Sequence, residues 1–579
     1  MKNNQSLNIS LIGSGGDGVM SSASMLLKTA AQMGLYGMMM QSYGPQIRGG
    51  EAAAHITLGT EPVRTVDKIK DLIVCFRFSD AVRFEKEIQP KKGCIILYGA
   101  EEKDIPKIFR DNSQQQIPIA FNEILEKNEL PEIAKNILVF GIILKALEMD
   151  LEHGKKCVQD IFAHKTVATV SSNLRALEIG YHYLQKDDLG IEKLLIEQEM
   201  VRPVFTGNEA SAHAAVAAGC RFYAGYPITP SSEILETMYE LLPKVGGRLI
   251  QAEDEIAALG MVIGASFGGI PAMTATSGPG LSLMTELLGL SSMVEIPVVV
   301  VDCQRAGPAT GLPSRTEQSD LWHAIYGGHG DFPRVVLAPT DVRDCYRTLF
   351  RAFHCAENFQ LPVIVLSDAN IAQRSEVIDP VDTSHFPVAK RLLPERIDEN
   401  YKRFNLEALS DQNGINATAL PGMSGGMHCI AGIEHTEKGS PSADGDLHEE
   451  MNLKRFKKME LLKETTADWF HIYGNLKATH ALIAWGSSAG VAREWVLENP
   501  DYAVFIPEIL HPFPQKGLKN FLAEKKSVVV WEMNFQGQLC HHLKAIGVLD
   551  EKAIQISRSG GLPFQTENLS RSFNQGEAL

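Results

Sequence analysis

Several stretches of this 579-residue sequence place reactive side chains beside free backbone groups. Gly225-Tyr226-Pro227-Ile228-Thr229-Pro230-Ser231-Ser232-Glu233 follows an apolar run and leads into a helix predicted over Ser231–Leu242. Thr229 is placed as an N-cap with Pro230 in the first turn. That geometry aims a hydroxyl and free N–H groups at whatever precedes the helix, which suits a carboxylate. Gln251-Ala252-Glu253-Asp254-Glu255 opens a helix expected to be buried nearly all round, and three carboxylates at its start complement the helix dipole. Thr276-Ser277-Gly278-Pro279-Gly280 reads as a tight turn after a strand, and Arg305 and Arg315 lie in the loop after another buried strand. Arginine grips a carboxylate bidentately where lysine offers only a point charge.

Near the N-terminus, Gly13-Ser14-Gly15-Gly16-Asp17-Gly18 satisfies G-x-G-x-x-G between a predicted strand, Leu7–Ile12, and a small-residue helix, Val19–Met33. Such glycines let backbone N–H groups approach a phosphate, and they also suit a plain strand-to-helix turn. A nicotinamide site further requires an acidic residue about 20 positions on. Leu35 to Gly50 contain none, which disfavours NAD.

The elements that must hold these groups alternate between strand and helix, so the fold class expected is α/β and multidomain. Apolar segments at Leu72–Phe76, Cys94–Tyr98 and Ile137–Leu147 continue the N-terminal pattern. In the central part, Phe222–Gly225, Met273–Thr276, Pro297–Asp302, Val335–Ala338 and Pro362–Leu366 are continuous apolar runs, as parallel strands covered on both faces should be. Ala481–Trp485, Ala503–Ile506 and Val528–Trp531 repeat that logic near the end. The domains expected are 1–190, 195–375, a polar connector 376–465, and 466–579, with Lys186-Asp187-Asp188-Leu189-Gly190 as a linker.

A formal charge of −15 argues against an electrostatic grip on nucleic acid or anionic lipid. No apolar stretch reaches the roughly 18 residues of a membrane span. The start, Met1-Lys2-Asn3-Asn4-Gln5-Ser6, has neither a signal core nor an Arg-rich amphipathic pattern, so the cytoplasm is expected. Nine cysteines stand singly, with no C-x-x-C pair for zinc or an iron–sulfur cluster, and are expected to be reduced. His541-His542 lacks a third nearby ligand and reads as a solvated pair on a helix.

The Tyr226-Pro227-Ile228-Thr229-Pro230 run resembles a motif of the α subunits of 2-oxoacid:ferredoxin oxidoreductases, and the resemblance extends over nearly the whole chain. The Gly-rich loop, then Gly44-Pro45-Gln46-Ile47-Arg48-Gly49-Gly50 and a strand at Ala53–Leu58, is similar to the family's γ domain. The resemblance implies a fused γ–α subunit: a γ domain, a thiamine-diphosphate pyrimidine-binding domain and a transketolase C-terminal-like domain. It places coenzyme A near Gly15, Gly16, Gly18, Arg48, Gly49 and Gly50, although Asp17 stands where the family commonly has Gln. It carries substrate contact to Thr229, Arg305 and Arg315, and cofactor contact to Tyr226, Pro227, Ile228, Thr276, Ser277 and Gly278.

Thiamine-diphosphate enzymes use a buried carboxyl group against the aminopyrimidine ring. By spacing to Gly264 the resemblance gives this role to Glu255, with Glu253 and Asp254 as alternatives. Gly16-Asp17-Gly18 mimics the start of the family's Mg²⁺ motif, but the matching window, Gln41 to Gln46, has no Asn. The diphosphate–Mg²⁺ half and a four-iron four-sulfur cluster are therefore expected on a separate β subunit, in an (αβ)₂ heterotetramer serving ferredoxin. Two arginines with Thr229 suit a dicarboxylate, so the expected reaction is coenzyme A-dependent decarboxylation of 2-oxoglutarate to succinyl-CoA. Pyruvate or a branched-chain 2-oxoacid stays open as substrate. A NAD-linked dehydrogenase, a non-catalytic assembly subunit and a self-sufficient thiamine decarboxylase stay open as other classes.

Overall fold

The structure is a computed structural model that describes residues 6–44, 50–110, 115–184, 189–191, 193–195, 200–411 and 413–575. The chain forms two compact units, Met1–Phe205 with Gln373–Pro380, and Thr206–Ala372 with Val381–Leu579. Both are α/β, as the alternation of the sequence predicts. Among the described residues no helix is long and apolar enough to cross a membrane.

The first unit is built on an eight-stranded mixed sheet. Its parallel half runs Gln115–Ile119, Gln89–Gly99, Ile69–Cys75, Ser6–Ser14, and its antiparallel half adds Glu51–Gly59 and Tyr36–Tyr43. Helix Val19–Gln32 buries Ala23, Leu26, Leu27 and Ala30, and these small and aliphatic residues join the core with Ile9, Leu11 and Ile56 of the sheet. The apolar stretch Ile137–Leu147 lies largely within a helix, Lys135–Ala146. A strand that no sequence pattern marked, Ser375–Val377, at the start of the stretch read as a polar connector, pairs antiparallel with Tyr36–Tyr43. An Arg374–Glu376 ion pair at 2.6 Å, both side chains buried, accompanies it.

The second unit carries two sheets. The seven-stranded one runs Ile509–His511, Val335–Leu337, Pro362–Asp368, Val298–Gln304, Ala272–Thr276, Phe222–Gly225, Arg248–Gln251. Only Ile509–His511 is antiparallel to its neighbour. The five-stranded sheet runs Phe470–Gly474, Tyr502–Pro507, His480–Ala484, Ser527–Glu532, Ile554–Ser557 and is parallel apart from its first strand. A single core, from Val300 and Ile364 to Phe505 and Val530, joins the two.

Three expectations are corrected. Helix Ser232–Leu241 has Ser231 at its N-cap position, and Thr229 lies outside it, because the Ser231 N–H bonds the Ile228 carbonyl at 2.8 Å and closes a turn before the helix begins. Helix Glu255–Phe267 is not buried all round, since Ile256 and Met261 are exposed. His542 is buried rather than solvated, and its Nδ1 meets the Tyr326 hydroxyl at 2.7 Å. The nine cysteines are free thiols, all buried except Cys429.

Candidate active site

Parallel sheets bind ligands at the carboxyl ends of their strands. In the second unit those ends include Gly225, Gln251, Thr276 and Gln304, which brings four separate sequence motifs to one edge. Beyond Thr276, the chain turns through Ser277 into helix Gly278–Met293, and the buried Ser277 hydroxyl donates to the Cys303 carbonyl at 2.8 Å. The turns after neighbouring strands are thus tied together.

Glu255 is the first residue of its helix and is 5% exposed, while Glu253 and Asp254 are exposed. Asp254 is the N-cap, its carboxylate accepting from the Ala257 N–H at 2.8 Å. The two acidic neighbours therefore face water, Asp254 capping the helix, whereas the Glu255 side chain turns inward. Its carboxylate makes no hydrogen bond or ion pair among the described residues, and it lies against the first turn of helix Gly278–Met293. A Cβ on Gly280 would fall 2.5 Å from Glu255 Oε1 and 2.0 Å from Thr276 Oγ1. Only a residue without a side chain leaves that carboxylate its place.

Thr229 is exposed and Tyr226 is 40% exposed. The Thr229 carbonyl accepts from Arg305 Nη1 at 2.6 Å, which places the buried Arg305 beside it. Arg315 joins the same loop through its backbone, its carbonyl accepting from the Ala306 N–H at 3.0 Å. The Pro230 turn is braced from behind by buried Asn208, whose Nδ2 donates to the Pro230 carbonyl at 2.7 Å.

The sequence reading missed a carboxyl pair. Asp302, wholly buried at the end of Val298–Gln304, faces Asp320 at the start of helix Leu321–Tyr326. No N–H or hydroxyl donor among the described residues reaches either oxygen of Asp302 or Oδ2 of Asp320. Burial, more than their mutual repulsion, pushes Asp302 well above the usual carboxylate range. Burial likewise lifts Asp320 to about 6, with the hydrogen bond to Asp302 opposing the rise, Glu317 adding to it and Arg305 opposing it more weakly. Asp320 borders the site, because a Cβ on Gly278 would stand 2.8 Å from its Oδ2.

In the first unit, the glycine loop is held by the Gly15 N–H, which donates to the Gly50 carbonyl at 3.0 Å, and Gly18 adopts φ 78°. A Cβ on Gly18 would also meet Asn136 Cβ at 2.3 Å. Asp17 turns into its own loop and accepts from the Ser14 N–H and hydroxyl, both at 2.8 Å. Arg77 and Lys135 approach it at 3.7 and 3.6 Å. Burial raises its pKa, but the Ser14 bonds and the two cations outweigh this and hold it below the ordinary value. The negative charge that distinguishes this loop is thereby neutralised locally. Arg48 and Gly49 lie outside the described residues.

Two family models match the chain: "Pyruvate ferredoxin/flavodoxin oxidoreductase" over residues 8–183, and "Pyruvate flavodoxin/ferredoxin oxidoreductase, thiamine diP-bdg" over residues 213–452. The second spans every motif gathered at the strand ends. A 2-oxoglutarate synthase subunit KorA from Methanocaldococcus jannaschii is 37% identical over 63% of this chain and 97% of its own length. The chain belongs to the 2-oxoacid:ferredoxin oxidoreductase family. A 2-oxoacid:ferredoxin oxidoreductase α subunit from a Sulfolobus species is 29% identical over 97% of this chain and 95% of its own. The solved 2-oxoglutarate:ferredoxin oxidoreductase from Magnetococcus marinus, with 2-oxoglutarate, coenzyme A and succinyl-CoA bound, superposes with a TM-score of 0.90 at 33% identity, covering 99% of both chains. The protein is thus an oxidoreductase subunit of a multi-subunit enzyme, with γ-type and α-type regions in one polypeptide, as the motifs imply.

Proposed function

We propose that this subunit supplies the aminopyrimidine half of a thiamine-diphosphate site and the contacts that hold 2-oxoglutarate for coenzyme A-dependent conversion to succinyl-CoA. The observation that carries the reading is Glu255, a buried carboxylate without a partner, in a cradle that a single methyl group on Gly280 would fill. An unpartnered carboxylate inside a protein is costly, so it is retained where a ligand supplies its hydrogen bond. These residues fit a ring nitrogen of the cofactor. When bound, thiamine diphosphate supplies the nucleophilic carbon and the electron sink for decarboxylation.

This chain's own residues do the rest. Glu255 holds a proton at the ring. Tyr226, Pro227, Ile228, Thr276, Ser277 and Gly278 line its approach. The Thr229 hydroxyl and the Arg305 guanidinium bind the 2-oxoacid head, and Arg315 takes the distal carboxylate of a dicarboxylate. In the N-terminal unit the loop at Gly15, Gly16, Gly18 and Arg48 to Gly50 receives coenzyme A.

A separate β subunit brings Mg²⁺, the diphosphate grip and the [4Fe–4S] cluster that passes electrons to ferredoxin, in an (αβ)₂ assembly in the cytoplasm. Support comes from the exposed apolar residues of the pyrimidine side, Tyr239, Ile250, Ile256, Met261 and Leu283, which in water would favour burial by a partner. The test is Glu255→Gln in the complex purified with its native partner. The variant should assemble normally yet lose at least about 10²-fold in 2-oxoglutarate-dependent viologen reduction, the scale of a lost proton-transfer group. Wild-type turnover in the variant would overturn the reading.

A further inference from the structure

The loop that carries Arg305 and Arg315 has two halves of different character. Gly307 to Leu312 is exposed. Thr316 to Gln318 is buried, and Glu317, Gln318, Ser319 and Trp322 are hydrogen-bonded to the C-terminal domain. Gln318 is fully buried. Its Nε2 donates to the Trp485 carbonyl at 2.7 Å, and its Oε1 accepts from the Met533 N–H at 3.0 Å. Its own N–H donates to the Met533 carbonyl at 2.6 Å, and its carbonyl accepts from Asn534 Nδ2 at 3.1 Å.

Gln538 extends the strap. Its Nε2 donates to the Ser319 carbonyl at 2.7 Å, and its Oε1 accepts from the Trp322 N–H at 3.0 Å. Glu317 accepts from the Gly560 N–H at 2.9 Å, and the Arg315 stem packs where a Cβ on Gly561 would lie, 2.4 Å from Arg315 Cβ.

We propose that Gln318 is a positioning residue for substrate selection, fixing the arginine loop to the C-terminal sheet so that the spacing of Arg315 from Arg305 and Thr229 matches the length of the 2-oxoacid. The inference rests on the proposed roles of those three residues, and it assigns to the C-terminal domain a part in specificity. Arg315 is bonded to Ala306 on one side, packs its stem against Gly561, and lies three residues before Gln318, so Gln318 is one of the points that fix its backbone. Releasing that point lets the Arg315 backbone shift, and a misplacement of about 1 Å is enough to cost on the order of 10²-fold. A glutamine amide, with a donor and an acceptor set opposite a carbonyl and an N–H, also rejects any shift of register, because a shifted amide would leave buried groups unpaired.

The test uses Gln318→Met, which keeps length and removes both side-chain bonds, in the complex purified with its native partner. The KM for 2-oxoglutarate should rise about tenfold, while the KM for coenzyme A stays within about twofold. The ratio of kcat/KM for 2-oxoglutarate over pyruvate should fall about tenfold. A merely structural role would lower the melting temperature and leave that ratio untouched; a folded variant with the wild-type ratio overturns the proposal. Should Gln318→Met fail to fold, Gln538→Met is read in the same way. Hydrogen exchange of the amides from 305 to 322, without substrate, separates the two claims. Faster exchange in the variant supports the strap even if wild-type enzyme turns over no 2-oxoacid, which would instead defeat the functional reading. Unchanged exchange defeats the strap.

Discussion

Asp302 and Asp320 face one another beside a guanidinium, no N–H or hydroxyl donor among the described residues reaches either oxygen of Asp302, and this has a measurable consequence for stability. In the unfolded chain both titrate near 3.8, whereas in the folded chain both pKa values are raised, Asp320 to about 6. From about pH 4 upward through pH 6 the folded state therefore holds more protons than the unfolded one, and stability falls as pH rises. Asp302→Asn removes one of the two charges. It should stabilise the protein above pH 6 by about 1–3 kcal/mol, an advantage that vanishes below pH 4, and melting temperatures across that range check it.

The pair was illegible in the sequence for a physical reason. Asp302 reads as the end of a strand and Asp320 as an ordinary loop residue, and only the strand–loop–helix path brings them together. Glu255 was different: type and place at the start of an apolar helix marked Glu253, Asp254 and Glu255 alike, only the family spacing chose among them, and burial then separates Glu255 from the other two.

At the scale of elements, the tightest junction is between helix Glu255–Phe267 and the first turn of Gly278–Met293. Gly280→Ala adds a methyl group 2.0 Å from Thr276 Oγ1 and 2.5 Å from Glu255 Oε1, so the carboxylate must move. Alanine's better helix propensity, worth about 0.5–1 kcal/mol, partly offsets overpacking of about 1–3 kcal/mol. The net stability change is expected to be small, and activity should fall by at least about tenfold. Calorimetry together with dye reduction would separate the two effects.

Elements buried on both faces were legible because their runs are continuous, as in Val298–Gln304 and Pro362–Asp368. Short elements were not. Arg248–Gln251 is an edge strand, largely exposed and mixed in character, and Ser375–Val377 is three residues long, so their pairing depends on neighbouring strands that no local pattern announces. The misplaced cap at Thr229 has the same origin, since a turn closed by Ser231 and Ile228 outcompetes the expected one.

Across the second unit as a whole, the connector is held by charge. Glu295 is buried after helix Gly278–Met293 and pairs with Lys454 at 2.6 Å and with Lys458, both on helix Gly445–Thr465. Arg403 Nη2 donates to the Glu295 carbonyl at 2.8 Å. One carboxylate thus faces three cations, all out of water. Burial alone would raise the Glu295 pKa, but the lysines hold it far below the usual range. Burial pulls Lys458 down to about 7, making it the cation that gives up its proton.

The two partners should therefore respond unequally to mutation. Glu295→Gln strands two lysines and an arginine and should cost about 3–5 kcal/mol, seen as a lowered denaturation midpoint and faster proteolysis of the connector. Lys458→Met removes only the surplus charge and should change stability by no more than about 1 kcal/mol at pH 7. Because unfolded lysine keeps its proton to about pH 10.4 while folded Lys458 releases it near 7, this group makes stability rise with pH across that interval. The methionine variant should lose that rise. If Lys458→Met proves as damaging as Glu295→Gln, the helix is held by a balanced ion pair and not by a single anion shared among competing cations.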